Sequence, residues 1–95
     1  MALPPVPPYR NLFYRRHTIR QMFRLHLTDD DIEELLGRGG VLEEYPEGTG
    51  FLVEGTARGR MLHAILGRIE KGNDLVVVSV FSPGSGQENI EGVEA

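Results

Sequence analysis

VLEEYPEGTGFLVEGTARGRMLHAILGRIEKGNDLVVVSVFS, residues 41–82, is the stretch that decides the fold. Apolar and β-branched residues gather there in four runs, separated by short gaps that are rich in glycine. Such runs predict strands, at 41–45, 51–54, 60–69 and 75–82. Parallel neighbours would need connections of about a dozen residues or more, so the short gaps predict an antiparallel meander.

Residues 14–26, before the meander, have the spacing of a helix. Its apolar stripe is formed by Ile19, Met22 and Phe23. We expect this stripe to face the core, with a cationic face beside it.

A second helix begins after Thr28, whose hydroxyl can cap free backbone N–H groups, and three aspartates follow it. Ile32, Leu35 and Leu36 form its apolar stripe, and the glycines from Gly37 onwards end it at about Leu36. The sequence therefore predicts an α+β fold, with two N-terminal helices packed on one face of a four-stranded antiparallel meander sheet.

The length of 95 residues is enough for one domain, which we place at residues 14–83. The proline-rich residues 1–13 are predicted to be an extended N-terminal segment, and the polar, glycine-rich residues 84–95 a flexible tail.

The composition excludes several classes of protein. The chain has no cysteine, so it can form neither disulfides nor thiolate zinc sites. The longest apolar run, residues 75–78, is far shorter than the roughly 20 residues that cross a bilayer, so we expect no membrane segment and a cytoplasmic location. His17, His26 and His63 lack metal-ligand spacing, and the glycines form no nucleotide-binding motif. We therefore expect neither a metal nor a cofactor.

Charge is distributed unevenly along the chain. The net charge is −4, but residues 1–27 contain five arginines and no acid, and the remaining residues carry −9. Guanidinium groups bind phosphate well, which suggests an anionic partner. The alternative is that these arginines pair with the acids of residues 29–34.

His63 is the second candidate feature. Strand alternation places it on the same face as Met61 and Ile65. We expect the first helix to pack on this face and to bring His17, with its neighbouring arginines, to the same cleft. The alternative is that His63 is a satisfied core residue.

Two histidines beside arginines can cleave RNA without a metal ion. One imidazole takes the 2′-hydroxyl proton, the other protonates the leaving 5′-oxygen, and guanidinium groups stabilise the charge on phosphorus. The candidate catalytic residues are His17 and His63, and the candidate substrate-binding residues are Arg20, Arg24, Arg60 and Tyr45. Tyr45 is a candidate for stacking on a base, although tyrosines at strand ends also serve simply to cover a core edge.

Five short motifs resemble one bacterial family across residues 15–83. They are His17 followed five residues later by Met22, then LTDDDIEELL, VLEEYP, GRMLHAIL and LVVVSVFSP. Together they resemble domain of unknown function 4258. Members of that family look like RelE- and MqsR-type toxins, in the wider group of barnase-, colicin- and RelE-like metal-independent ribonucleases.

The resemblance implies an endoribonuclease toxin that a partner antitoxin neutralises; in some members the neighbouring antitoxin has a zinc finger. His17 matches the family's helix-one histidine, Tyr45 its tyrosine-proline, and Arg60 with His63 its GRPLH segment, here GRMLH. The family often has arginine where this chain has Gln21, so Arg20 and Arg24 would have to replace it. Another departure is Leu25-His26, where the family often has Arg-Gly.

Two hypotheses remain. The first is a toxin that cleaves RNA, with RNA and an antitoxin as partners. The second is a non-catalytic interaction module whose first helix and sheet edge bind a protein or form a homodimer; the acidic net charge favours it because its long-range field repels phosphate.

Overall fold

The computed structural model describes residues 3–69 and 73–83, so the predicted tail at 84–95 lies outside the described residues. These residues form an α+β fold, as predicted. Its elements are β1 (Asn11–Tyr14), α1 (Arg16–Leu25), α2 (Asp29–Arg38), β2 (Gly40–Glu44), β3 (Gly50–Ala57), β4 (Arg60–Arg68) and β5 (Asp74–Phe81).

The sheet has five strands in the order β1-β5-β4-β3-β2. The strands β2 to β5 form the predicted antiparallel meander. The predicted four-stranded, purely antiparallel sheet is wrong, however, because β1 adds a fifth strand parallel to β5. The helices and the meander separate β1 from β5, and so long a connection allows parallel pairing. A strand of four residues is too short to show a clear alternation of apolar and polar residues.

One face of the sheet is covered and forms the core. On β4 the covered side chains are Leu62, Ala64 and Leu66, with exposed fractions of 0%, 0% and 1%. The helix α2 packs on β3, and α1 lies against β5. The expectation that the first helix packs on the face of Met61, His63 and Ile65 is therefore wrong. Both faces of β4 are apolar, so alternation within this strand alone could not distinguish them.

The helix α2 follows the sequence prediction closely. Its apolar residues Ile32, Leu35 and Leu36 are buried, and Thr28 caps its N-terminus. The Thr28 hydroxyl accepts from the Asp31 backbone N–H, and the Asp31 carboxylate accepts from the Thr28 backbone N–H. This reciprocal pair satisfies backbone donors that the first turn leaves free.

The helix α1 is placed differently from the prediction, since Ile19 and Phe23 are 54% and 83% exposed. It lies along the edge of β5 beyond the point where β1 ends. There the carbonyl oxygens of Val77 and Val78, at 2.8 and 2.7 Å, share the single proton that the buried Thr18 hydroxyl donates. The helix thus supplies partners to backbone groups that a longer β1 would have paired.

The proline-rich segment also contacts the sheet. The backbone N–H of Val41, in the edge strand β2, donates to the Pro4 carbonyl at 2.7 Å. Gly40 allows this approach, because an added Cβ would collide with the Leu3 side chain. The segment thus covers part of the edge of β2, while its last residues, from Asn11 onwards, belong to the strand β1 of the sheet.

Among the residues that the structure describes, no helix is long and apolar enough to span a membrane.

Candidate functional site

The second face of the sheet, which we call the open face, carries His63 at its centre. Three residues lie directly opposite one another there on neighbouring strands: Glu54 on β3, His63 on β4 and Phe81 on β5. The hairpin at Arg58 and Gly59 fixes this row, because it pairs Ala57 with Arg60 and so sets the register of both strands.

His63 has two contacts within this row. Its Nε2 lies 3.3 Å from Glu54 Oε2. Its ring meets the Phe81 ring edge-on, with centroids 5.6 Å apart and planes at 79°. The side chains of His63 and Glu54 remain 16% and 34% exposed. His63 is therefore held in one orientation but is still open to solvent, unlike a core histidine.

This arrangement suits proton transfer. When the neutral ring carries its proton on Nε2, it donates to the Glu54 carboxylate and leaves Nδ1 free to accept a proton. A carboxylate next to an imidazole orients the ring. The Glu54–His63 pair can therefore serve as a general base or acid.

One flank of α1 borders the open face. Gln21 Oε1 accepts from Ser79 Oγ at 3.3 Å and from the Val80 backbone N–H at 3.0 Å. Ser79 lies opposite Ile65, two residues from His63, and so shares the face of His63. His17, four residues before Gln21, and Arg24, three residues after it, lie on the same flank. This flank is placed at the rim of the open face.

His17 and His63 nevertheless do not touch. His17 is exposed and, within residues 3–69 and 73–83, its side chain has no hydrogen bond, ion pair or ring contact. The partners of His63 are Glu54 and Phe81, with β5 lying between β4 and α1. The structure therefore does not bring the two histidines into contact.

The arginines of the N-terminal quarter have no acidic partner in the part of the chain that the structure describes. Asp31 pairs instead with Arg58 at 3.0 Å, and Glu34 with Arg38 at 3.8 Å. The alternative that the N-terminal arginines pair with the acids of residues 29–34 is therefore wrong. Arg20 and Arg24 are exposed and leave their charges available.

Arg60 and Tyr45 are placed away from His63. The Arg60 side chain donates to the Leu25 carbonyl at 2.6 Å, and alternation puts it on the covered side of β4. Tyr45 follows the edge strand β2, at the end of the sheet that is distant from the β3–β4 hairpin. Burial, and then the nearby Glu43 carboxylate, raise the pKa of Tyr45.

Sequence reasoning missed Glu54 and Phe81. The tight turn at residues 58–59 could have indicated the position of Glu54, because a turn that pairs residue 57 with residue 60 places residue 54 opposite residue 63. Phe81 was harder to find, since β5 has a register shift opposite Ile65 and Leu66.

Other possible sites are less informative. Among the described residues, no group of three or more His, Cys, Asp or Glu side chains is placed to hold a metal ion. A cleft of about 700 Å³ lies at the opposite end of the sheet, between Pro8, Thr49, Arg68 and Asp74. None of the residues predicted to catalyse or to bind substrate lines it.

Fold and site together define a small α+β protein with α2 on one face of a mixed sheet, α1 at the edge of β5, and a histidine–carboxylate pair on the open face. The family described as Domain of unknown function (DUF4258) matches residues 14–82, and the chain belongs to that family. Neither the curated proteins nor the solved structures contain a match to the chain.

Proposed function

We propose that this protein is a metal-independent endoribonuclease that cleaves RNA on the open face of its sheet. His63 and His17 transfer the protons, and Arg20 and Arg24 bind the phosphate. Arg60 and Tyr45, the other predicted binding residues, lie away from His63 and have no part in the proposed site. The toxin role, with an antitoxin protein as its partner, belongs to the same proposal and rests on the resemblance to RelE- and MqsR-type toxins.

The reaction needs no metal, cofactor or added water. One imidazole removes the proton of the ribose 2′-hydroxyl, and the 2′-oxygen attacks the adjacent phosphorus. The bond from phosphorus to the 5′-oxygen breaks, and the second imidazole protonates the leaving oxygen. The products are a 2′,3′-cyclic phosphate and a 5′-hydroxyl. Guanidinium groups stabilise the extra negative charge that forms on the phosphate oxygens.

The observation that carries the proposal is the Glu54–His63 pair on the open face, with a Nε2 to Oε2 distance of 3.3 Å. A histidine that is oriented by a carboxylate and open to solvent has the properties of a proton-transfer group. The unpaired Arg24 on the neighbouring flank of α1 adds a phosphate-binding charge.

The net charge of −4 opposes binding of RNA at long range. At physiological salt, however, charges more than about 8 Å apart are largely screened from one another. A local cluster of guanidinium groups can therefore bind phosphate despite the acidic surface elsewhere. RNA affinity should consequently fall as salt concentration rises.

The experiment is RNA cleavage by the purified protein in EDTA, with His63→Ala as the test variant. We expect it to lose at least about 100-fold in rate, the usual contribution of a general acid or base. His26→Asn is the matched control, because His26 is exposed and lies at the end of α1 in a left-handed conformation that asparagine tolerates. Equal cleavage by wild type and His63→Ala, or none by either, removes His63 from the mechanism.

The second candidate function is a non-catalytic protein-interaction module. Phe23, which is 83% exposed on α1, is the observation that favours it. Salt separates the two functions, because an apolar protein interface predicts little change in affinity with salt concentration.

A further inference from the structure

The strand β5 contains a bulge that decides which of its side chains reach the open face. Where the register shifts, β5 has one residue more than β4, between Val77 and Ser79. Val77 and Val80 are both buried on the covered side, which strict alternation would not allow. Because of the extra residue, Ser79 and Phe81 point to the open face.

Two side chains of α1, one helical turn apart, bind β5 beside this bulge. The Thr18 hydroxyl donates to the backbone carbonyl oxygens of the bulge. Gln21 Oε1 accepts from the Val80 backbone N–H at 3.0 Å and from Ser79 Oγ at 3.3 Å. These contacts hold the Gln21 carboxamide at the rim of the open face.

The orientation of the Gln21 carboxamide follows from its contact with β5. A backbone N–H can only donate, so the carboxamide atom that faces Val80 has to be the oxygen. No hydrogen bond within the described part of the chain engages the nitrogen, Nε2. Among the described residues no buried side-chain nitrogen or oxygen lacks a partner, so Nε2 is open to solvent. Gln21 therefore presents two N–H donors that are available to a ligand.

This free nitrogen lies close to His63 in the geometry of the sheet. Phe81 is directly opposite His63, so Ser79, which contacts Gln21, is the diagonal neighbour of His63 on the open face. Diagonal neighbours on adjacent strands are about 7–8 Å apart. A phosphate group between them can accept from Gln21 through a non-bridging oxygen while its ester oxygens face the His63 ring.

We propose that Gln21 binds the scissile phosphate, with Nε2 donating to a non-bridging oxygen on which negative charge develops. This inference rests on the proposed function. His17 and Arg24 lie one turn before and two turns-neighbouring positions after Gln21 on the same flank, so Gln21 is at the centre of the groups assigned to the reaction. Gln21 is fixed before substrate binds, and a donor fixed in advance stabilises developing charge without reorganisation.

The substitution Gln21→Glu separates this role from a structural one. A carboxylate still accepts from Val80 and Ser79, but an oxygen replaces the N–H donors. We expect this variant to unfold at the same urea concentration as the wild type. For cleavage of RNA in EDTA it should lose at least about 100-fold in kcat, the usual effect of removing one such donor.

Two further variants control for the negative charge that Gln21→Glu introduces. Gly37→Glu adds the same charge on α2, where an added side chain would meet nothing within 4 Å, and it should cleave like the wild type. Gln21→Met removes the N–H donors without adding charge and should lose kcat as Gln21→Glu does.

Binding provides a second measurement that does not depend on cleavage. A short RNA with 2′-methoxy groups, which cannot be cleaved, should shift the NMR signal of the Gln21 side-chain amide. The Asn11 side-chain amide is the control, because it donates to Asp74, seven residues along β5 from Phe81, and its signal should not shift.

The outcomes distinguish this inference from the function on which it rests. Equal kcat values for Gln21→Glu and Gly37→Glu overturn the role of Gln21 but leave the nuclease proposal standing. The same conclusion follows if the RNA shifts the signals of His63 but not that of the Gln21 amide. A wild type that does not cleave RNA refutes the proposed function, and the role of Gln21 with it.

Discussion

The helices α1 and α2 each have ten residues, and both show apolar residues at helical spacing, yet they bury different parts of their surfaces. The helix α2 has a capping box and buries Ile32, Leu35 and Leu36 on the sheet. The helix α1 has no side-chain cap; it buries Thr18 and Met22 and exposes most of its surface. The comparison shows that helical periodicity alone does not identify the buried face. The place of a helix relative to the sheet decides which of its faces is available for function.

The largest difference between the helices should appear on removal of apolar side chains. Leu35→Ala, in α2, should lower the free energy of unfolding by about 2–5 kcal/mol, because Leu35 is 0% exposed and its loss leaves a cavity. Phe23→Ala, in α1, should change the stability of the monomer by less than about 0.5 kcal/mol, because Phe23 is 83% exposed. Urea unfolding at low protein concentration measures both. Equal losses in the free energy of unfolding would mean that the apolar stripe of α1, with Phe23, is packed in the core.

A smaller effect should come from the polar attachment of α1 to β5. Thr18→Val keeps the shape of the side chain but removes the hydroxyl that donates to Val77 and Val78. The change should cost about 1–3 kcal/mol, since a buried carbonyl loses its partner. Thr49→Val is the control, because the Thr49 hydroxyl also donates to a carbonyl, that of Pro46, but in an exposed turn. If both variants lose the same free energy of unfolding, the hydrogen bond between α1 and the edge of β5 stabilises the protein no more than one in an exposed turn.

The smallest of these effects should be a pH dependence of the free energy of unfolding, which arises from the Asp31 carboxylate in the N-terminal cap of α2. The hydrogen bond from the Thr28 backbone N–H, assisted by Arg58, lowers the pKa of Asp31 below its ordinary 3.8. The unfolded chain therefore takes up the Asp31 proton at a higher pH than the folded chain does. The stabilisation is complete above the ordinary value and is lost as pH falls through the lowered one. The free energy of unfolding should thus decrease less on acidification in Asp31→Asn than in wild type; parallel curves would contradict this assignment.

The sequence was sufficient for the elements whose neighbours lie close in the chain. The meander follows from its short turns, and Thr28 with its aspartates marks the start of α2. It was insufficient where partners are distant. The parallel pairing of Asn11 with Asp74 joins residues at opposite ends of the domain. On β4, Met61 and Ile65 beside His63 made the open face apolar as well as the covered one.

The sequence likewise predicted only part of the candidate site. His63 was found by its residue type, and Glu54 was missed although the hairpin register places it directly opposite. The position of His17 depends on α1 lying at the edge of β5, which local spacing does not encode.

The proposed binding of RNA at the open face can be tested by chemical-shift mapping. The probe is a short RNA whose 2′-hydroxyls are replaced by 2′-methoxy groups, so that it cannot be cleaved. This RNA should shift the NMR signals of His63, Glu54 and Phe81, together with those of His17 and Arg24. Shifts confined to Ile19, Phe23 and their neighbours, or no shifts at all, would contradict it.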